Sequence, residues 1–577
     1  MANKNPLTSD DSDSKSGTGA GTGTKRPSRR FPKRMVLFSL LALTVIAVLR
    51  FGHETLNEWF NLGPGEANVA QMVLLFLVVC GWNVWIAFFS RWRWVSRLIG
   101  VTLLGILPIA GLVFFQAVFD GDLRLVRFEP RFGAMERQYA KVQQLPVSDD
   151  NQPDSNEPRT TEFDFPQFLG PNRNATIENV ALADSWESQA PEIVWTINVG
   201  EGWSGFSIVG DHGFTQEQRD DQELVVCYDI NNGTQVWAYS VTRRHEDLSA
   251  VGRVGPRATP TVIDGQVYTI SGTGVLDCLD AKTGAHVWAV DVPALVNIDQ
   301  VVRVNGRGLE YTQENSSLTW GRSTSPLVYK DMVIVPAGGP MGGDAVTMIA
   351  FDRQTGEERW RGGERASSYG SPTLIEVAGE IQVGLIAENY AVGHDPETGT
   401  ELWSHDWPGN SDSNASCSQI TPIDDTQLLL SKGYAIGGQV IRVRQKGEQW
   451  QTETVKSNPR VLKTKMTNPV IFEEHAYSLS DGFLECTEVL TLKRKWKKRG
   501  RFGNGQLLLV GNKLLVHGEY GTLYLVAASP DKFQELGKFK TIDGVCWNTI
   551  ALSNDRLLVR SELEAAMIRL PLANAPK

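Results

Sequence analysis

The hydrophobic pattern divides the chain into two unlike regions. Three long apolar stretches come first, at 35–49, 70–90 and 98–119. The last two hold 21 and 22 residues, enough for a helix to cross a hydrocarbon core of about 30 Å; the first holds 15 and is marginal by length alone. Beyond residue 190 the apolar runs shorten to strand length, as at 224–228 and 275–279, and each is followed by turn residues and a short strand with a Trp. The pattern predicts three transmembrane α-helices followed by an all-β domain.

Charge fixes the number of crossings. Lys25, Arg26, Arg29, Arg30, Lys33 and Arg34 precede the first stretch, and Arg91, Arg93 and Arg97 lie between the second and third. Lys and Arg loops stay cytoplasmic. Both loops share that side only if the first stretch also spans, with Arg50 snorkelling to the far interface. The loop between the first two stretches carries Glu54, Glu58 and Glu66 and no Lys or Arg after Arg50. The expected topology is a multi-pass protein of the cytoplasmic (inner) membrane, with a cytoplasmic N-terminus and a periplasmic, extracytoplasmic β domain. Trp82, Trp85, Trp92 and Trp94 suit an interfacial belt.

A single unit recurs four times within the β domain: Asp229, Gly233, Trp237; Asp280, Gly284, Trp288; Asp352, Gly356, Trp360; and Asp395, Gly399, Trp403. The Gly always stands four residues after the Asp, and the Trp four after the Gly. An Asp side chain accepts from backbone N–H groups a little further on and closes a turn, while Gly supplies the positive φ that ends it. Each unit is thus a hairpin with an aromatic peg on its outer strand, repeated at intervals typical of a propeller or solenoid.

The unit resembles the tryptophan-docking motif of the pyrroloquinoline-quinone (PQQ) type β-propeller family, Ala-x-Asp-x-x-x-Gly-x-x-x-Trp. Cys227, Cys278, Ala350 and Gly393 occupy its small first position. The resemblance implies radial blades, with each Trp packed on a neighbour's turn. The family holds quinoprotein dehydrogenases and cofactor-free, BamB-like relatives, so it implies a fold more than an activity. Trp450 and Trp496 extend the series at steps of 47 and 46 residues. The 72-residue step from Trp288 to Trp360 marks an insertion, placed at about 293–320. A degenerate unit covers 503–540, and a last one, 543–570, offers three strands (545–552, 556–559 and 565–570) but no outer strand with a Trp. At the other end, 192–199 is an orphan outer strand containing Trp195. Pairing the two hides the open edges. The expectation is an eight-bladed β-propeller closed by an N-terminal strand, with seven blades as the alternative.

The domain organisation expected is a disordered basic cytoplasmic tail (1–34), a three-helix transmembrane region (35–119), a juxtamembrane segment and linker (120–189) and the propeller (190–577). A juxtamembrane helix is expected at 134–144, followed by an acidic linker over 145–163 with Pro146, Pro153 and Pro158; 163–174 resembles a lead-in that packs on the propeller.

Composition narrows the chemistry. A net charge of −10 argues against nucleic acid as the main partner. The six Cys are scattered, without a C-x-x-C or an adjacent pair, and the eight His form no H-E-x-x-H. Gly202-Trp203-Ser204-Gly205 lacks the full nucleophile-elbow frame. The inner strands, expected to start near Ser204, Arg257, Arg322, Tyr369, Ser418, Thr467, Asn504 and Asn548, should line a central channel. There Arg257 and Arg322 are candidates for holding a carboxylate or phosphate, or for pairing with acidic neighbours, and Trp547 is a candidate stacking face. No catalytic residue and no metal site is assigned. Two functions are open. One is a membrane-anchored, non-catalytic binding or scaffold module for a protein or envelope component. The other is a membrane-bound PQQ-dependent quinoprotein dehydrogenase acting on an alcohol or sugar, the only case implying PQQ with Ca²⁺. Reporter fusions at residues 60 and 150 should both report export; a cytoplasmic signal at 150 would rule out three crossings.

Overall fold

A computed structural model of the protein describes residues 32–130, 160–247, 253–298, 300–305, 308–313, 318–409 and 415–573. The helix expected at 134–144 lies outside them. The chain forms two compact units, one from residues up to 46 with 72–111, the other from 47–71 with 112 onward.

Three helices, Lys33–Phe51, Pro64–Phe89 and Trp94–Phe114, are long and apolar enough to cross a membrane. In the first unit small residues let them approach: a Cβ on Gly81 would lie 2.6 Å from the Met35 methyl carbon. The Trp82 indole donates to Ser39 Oγ at 2.9 Å. The third helix is shorter than the apolar stretch that predicts it. Residues 115–119 form a strand, Phe115–Phe119, paired antiparallel with Leu125–Pro130. Hydropathy alone does not separate helix from strand in a short apolar run.

The second unit contains eight blades in a ring, each a four-stranded antiparallel sheet; the seventh gains a fifth strand. Blade 1 comprises Ser207–Val209, His212–Arg219, Gln222–Asp229 and Gln235–Thr242, from the inner strand outward. Blades 2 to 7 follow over 261–291, 327–362, 373–406, 421–458, 470–497 and 506–540. In blade 8, Ala551–Ser553, Arg556–Arg560 and Glu564–Arg569 take Glu192–Asn198 as their outer strand, with Met567 opposite Trp195. The ring is thus closed by pairing the two ends of the domain, which leaves no unpaired radial sheet. The inner strand of blade 8 is shorter than the 545–552 run suggests, and Trp547 and Thr549 ahead of it line the central cavity. The insertion holds a short helix, Val292–Leu295, and a hairpin of Gln300–Asn305 with Gly308–Gln313. Middle strands are covered on both faces by adjacent blades, so Met332–Gly338 is buried throughout. Outer strands such as Glu192–Asn198 are partly exposed and more polar.

The Asp-Gly-Trp units show why the blades hold together. Asp280 Oδ1 accepts from Lys282 N at 3.2 Å and Thr283 N at 2.8 Å, and Asp352 and Asp395 do the same with Gln354 and Thr355, and with Glu397 and Thr398. Gly233, Gly284, Gly356 and Gly399 end the turns at φ of 72°, 71°, 74° and 74°. Each turn then receives the indole of the preceding blade. Trp195, Trp237, Trp288 and Trp360 donate to the carbonyls of Ile230, Ala281, Arg353 and Pro396, at 2.8, 3.0, 3.1 and 3.1 Å. The acceptor is in every case the residue after the Asp. The ring lies directly on the Gly: a Cβ on Gly284 would sit 2.6 Å from Trp237, and one on Gly356 2.8 Å from Trp288. Only Gly satisfies both the φ and the approach.

The series is interrupted in blades 4, 5 and 7. Blade 5 has no Asp-x-x-x-Gly turn, and Trp403 of blade 4 donates instead to Gln382 Oε1 within its own blade, at 2.7 Å. Trp450 does not extend the series, contrary to its spacing. In docking blades the Trp faces the small residue just before the bulge, as Trp288 faces Cys278; in blade 5 that place, opposite Val440, belongs to Lys456. Trp496 does occupy it, opposite Cys486, and donates to Ser529 O at 2.9 Å. In blade 7 the place falls to Gly537, against which Trp186 packs from the N-terminal segment. Trp237→Ala should therefore cost about 3–5 kcal/mol of stability by loss of a buried aromatic, and Trp450→Ala less than half as much; denaturant unfolding of the two variants checks the contrast.

Candidate functional site

The stretches expected to begin the inner strands lead into them instead, two to five residues ahead: Ser204 precedes Ser207, and Arg322 precedes Leu327. They converge on the ring centre, where a cavity of about 150 Å³ is lined from all eight blades. Its walls are largely aromatic. Trp203 and Trp547 lie 4.4 Å apart at 36°, and Trp320 stacks on Tyr369 at 5.3 Å. Phe168, Tyr434 and Met466 add apolar surface, while Arg257, Thr259, Asn468 and Gln506 add polar groups. Of the candidates named from sequence, Arg257 and Trp547 are brought together here. Arg322 is not: it is 2% exposed and gives its guanidinium to the carbonyls of Pro336 and Ala337, at 3.0 and 2.6 Å. Burial pushes its pKa down to about 10. It fastens backbone, with Asp291 near enough to favour its charge.

Two chain segments border the cavity. From one side comes the lead-in. Phe165 bridges Ile208 of blade 1, Pro166 O accepts from Val262 N of blade 2, Arg173 donates to the carbonyls of Ser325 and Pro326 in blade 3, and Thr176–Ile177 pairs in parallel with the inner strand of blade 7. Phe168 on this segment reaches the cavity wall. Against other lining residues lies the tip of the Phe115–Pro130 hairpin: a Cβ on Gly121 would fall 3.2 Å from Met466 and 3.4 Å from Trp547.

The hairpin tip is held by buried charge. Asp122 accepts from Lys465 Nζ at 2.7 Å, from Asn504 Nδ2 at 2.9 Å and from Arg501. Burial disfavours its charged form, but Lys465 and Arg501 outweigh this and hold its carboxyl well below the usual range. Glu519 accepts from Trp547 Nε1 at 2.8 Å, Gly121 N at 3.2 Å and Asn504 N at 3.1 Å. Burial first, then the charges of Asp120 and Asp122, push its pKa up to about 7. Arg127 bonds Glu562 at 2.7 Å, and Tyr520 bonds Asp120. A second anchor comes from the helix His53–Phe60, whose Asn57 side chain meets Asp481, Lys463 and Lys497 at 3.0, 3.1 and 3.2 Å.

The donor set bears on cofactor chemistry. The cavity lining contains no carboxylate. Among the described residues, no group of three or more His, Cys, Asp or Glu is placed to hold a metal ion. Three carboxylates of a quinone would find one cation on the wall, Arg257. These residues do not fit PQQ with Ca²⁺, which calls for a cluster of oxygen ligands and a base beside the metal.

A family model described as "Outer membrane protein assembly factor BamB" matches residues 220–498. The propeller is PQQ-like. The outer membrane protein assembly factor BamB of Moranella endobia (strain PCIT) is 26% identical over 133 residues, 21% of this chain and 34% of that protein. The quinohemoprotein alcohol dehydrogenase ADH-IIG of Pseudomonas putida is 27% identical over 139 residues, 24% of this chain and 16% of that one. The chain therefore spans about a third or less of the length of these relatives. Among solved structures, a europium-containing methanol dehydrogenase superposes with a TM-score of 0.51 at 11% identity, over 70% of this chain and 98% of that one, a likeness of fold.

Sequence reasoning missed Asp122, Glu519, Lys465 and Arg501, because they lie in unrelated loops up to about four hundred residues apart and no spacing rule links them. Trp203 had a signal, since it sits in the same frame as the stretches before the other inner strands. Glu519 sets a pH test. An acid raised on folding contributes its stability below its unfolded value and loses it as pH rises through about 7. Stability should fall by on the order of 2–3 kcal/mol between about pH 5 and pH 8 through this group; Glu519→Gln should flatten that slope in denaturant titrations.

Proposed function

We propose that the chain is a membrane-anchored propeller, exposed outside the cytoplasm, that works as a non-catalytic binding or scaffold module for a protein or envelope component. The carrying observation is the cavity itself: aromatic walls, no carboxylate, and a hairpin tip lying against it on buried ion pairs. A cavity of about 150 Å³ matches roughly one benzene ring in size, which is small for a tricyclic quinone. Moving the hairpin tip away would break Asp122 from Lys465 and Arg501, and leaving one partner of a buried pair alone costs roughly 3–5 kcal/mol. The partial match to a protein named as an assembly factor supports the same reading.

The dehydrogenase alternative draws its support from relatives named as quinohemoprotein alcohol dehydrogenases. The purified full-length protein, incubated with PQQ and Ca²⁺, is expected to gain no quinone absorbance and no dye reduction with alcohols or sugars. Calcium-dependent dye reduction lost in Arg257→Ala would establish the dehydrogenase instead. Photo-crosslinkers placed on the exposed outer strands of blades 3 to 5, activated in intact membranes, are expected to yield discrete adducts at specific positions. A uniform absence of adducts alongside quinone binding would overturn the scaffold reading.

A further inference from the structure

The outer edge of blade 6 carries a charge opposite to that of the protein. Residues 493–501 hold Lys493, Arg494, Lys495, Lys497, Lys498, Arg499 and Arg501 and no acidic residue, in a chain of net charge −10. Four of the seven serve the fold. Arg494 pairs with the buried Glu485 at 2.9 Å, Arg501 with Asp122, Lys497 stands over the Phe483 ring at 4.2 Å, and Lys498 over the Phe533 ring at 4.9 Å. Lys493, Lys495 and Arg499 are exposed.

Beside this strand lies the helix His53–Phe60. Lys497 Nζ is 3.2 Å from Asn57 Oδ1, and Lys463 reaches both Asn57 and Asn61 at 3.1 Å. The same helix leaves Trp59 and Phe60 69% and 72% exposed. Chain connectivity decides what these rings meet. Phe60 is four residues before Pro64, where the second long apolar helix starts, and four residues reach at most about 14 Å. Aromatic side chains at that distance from a span occupy the headgroup level of a bilayer. Lys497, at the end of the basic strand, is hydrogen-bonded to that helix and so ties this edge of blade 6 to the segment that enters the span.

We infer that the basic outer edge of blade 6, together with Trp59 and Phe60, is a docking surface for anionic phospholipid headgroups. This rests on the reading that the three apolar helices span a membrane, and it adds a second, electrostatic contact between propeller and lipid. Clustered Lys and Arg at a membrane surface attract acidic lipids, each adding a modest increment, and an adjacent apolar wedge gives the contact depth. An acidic protein partner would be served by the charges but would leave the two exposed rings beside the spans unexplained.

The full-length protein in mild detergent is titrated with phosphatidylglycerol or phosphatidylcholine, and bound lipid is counted by native mass spectrometry. The wild type should prefer phosphatidylglycerol, and the triple variant K493Q, K495Q, R499Q should bind it on the order of tenfold more weakly. A control with three charges removed elsewhere, K330Q, R359Q and R442Q, should keep the preference. In nanodiscs containing phosphatidylglycerol, Trp59→Ser should reduce the share of the tryptophan emission that lipid-borne bromine quenches, Trp82, Trp85, Trp92 and Trp94 supplying the rest. Wild-type lipid preference in the triple variant, or an equal loss in the control, would overturn the proposal and leave a solvated charge run. Loss of membrane insertion by the wild type itself would instead refute the anchorage on which the proposal rests.

Discussion

The structure depends on one contact repeated around a ring: an indole laid on the glycine of the next blade's turn. The contact is covalently silent and locally cheap to specify. An Asp closes the turn, a Gly leaves no side chain over it, and a Trp four residues later points away from its own sheet toward the blade that follows in the ring. Its energetic weight comes from burying a large aromatic while giving its N–H a carbonyl that would otherwise lack a partner. The ring also has to close, and Trp195 does this in the same way as the others, from a strand that arrives before the first blade. Where the motif fades, the structure substitutes. Trp403 turns to Gln382, and Trp186 covers Gly537 from outside the repeat.

Closing eight sheets around an axis brings the segments before the inner strands to one place, and their identity sets the chemistry of the centre. Here they bring aromatic rings, hydroxyls, amides and one guanidinium. Carboxylates are present nearby, but they are engaged. Asp122 belongs to the hairpin and satisfies Lys465 and Arg501, and Glu519 receives three N–H donors, one of them from Trp547. These carboxylates fasten one segment of chain to another. The fold is common to enzymes and binding proteins, so the chemistry of the centre bears on function more than the fold does.

Besides the lead-in, the segments that fasten to the propeller are those adjoining the apolar helices. The His53–Phe60 helix and the Phe115–Pro130 hairpin both engage blades 6 to 8 through buried polar groups. Buried ion pairs contribute little net stability but are costly to break one partner at a time, so they fix a register rather than strengthen a core. The basic edge of blade 6 adjoins these contacts, with Lys493, Lys495 and Arg499 exposed on it.

The sequence by itself determined the elements whose physics is local or periodic. The Asp-x-x-x-Gly-x-x-x-Trp spacing is a turn with a peg, and its repetition specified the blades, the closing strand with Trp195 and the insertion. The three apolar stretches carried the helices, although the last ended five residues early because 115–119 pairs as a strand. Tertiary structure decided what depends on residues far apart in the chain. Trp450 had the right spacing but faces another register position, because a long hairpin displaced it. Arg322 looked like a twin of Arg257, yet burial turned it onto two carbonyls. The Asp122 and Glu519 cluster had no local signature, since a carboxylate in a loop reads the same whether it meets water or a lysine from the far side of the chain. Such partnerships are set by the closed ring and by the segments that dock on it, and periodicity along the sequence holds no record of them.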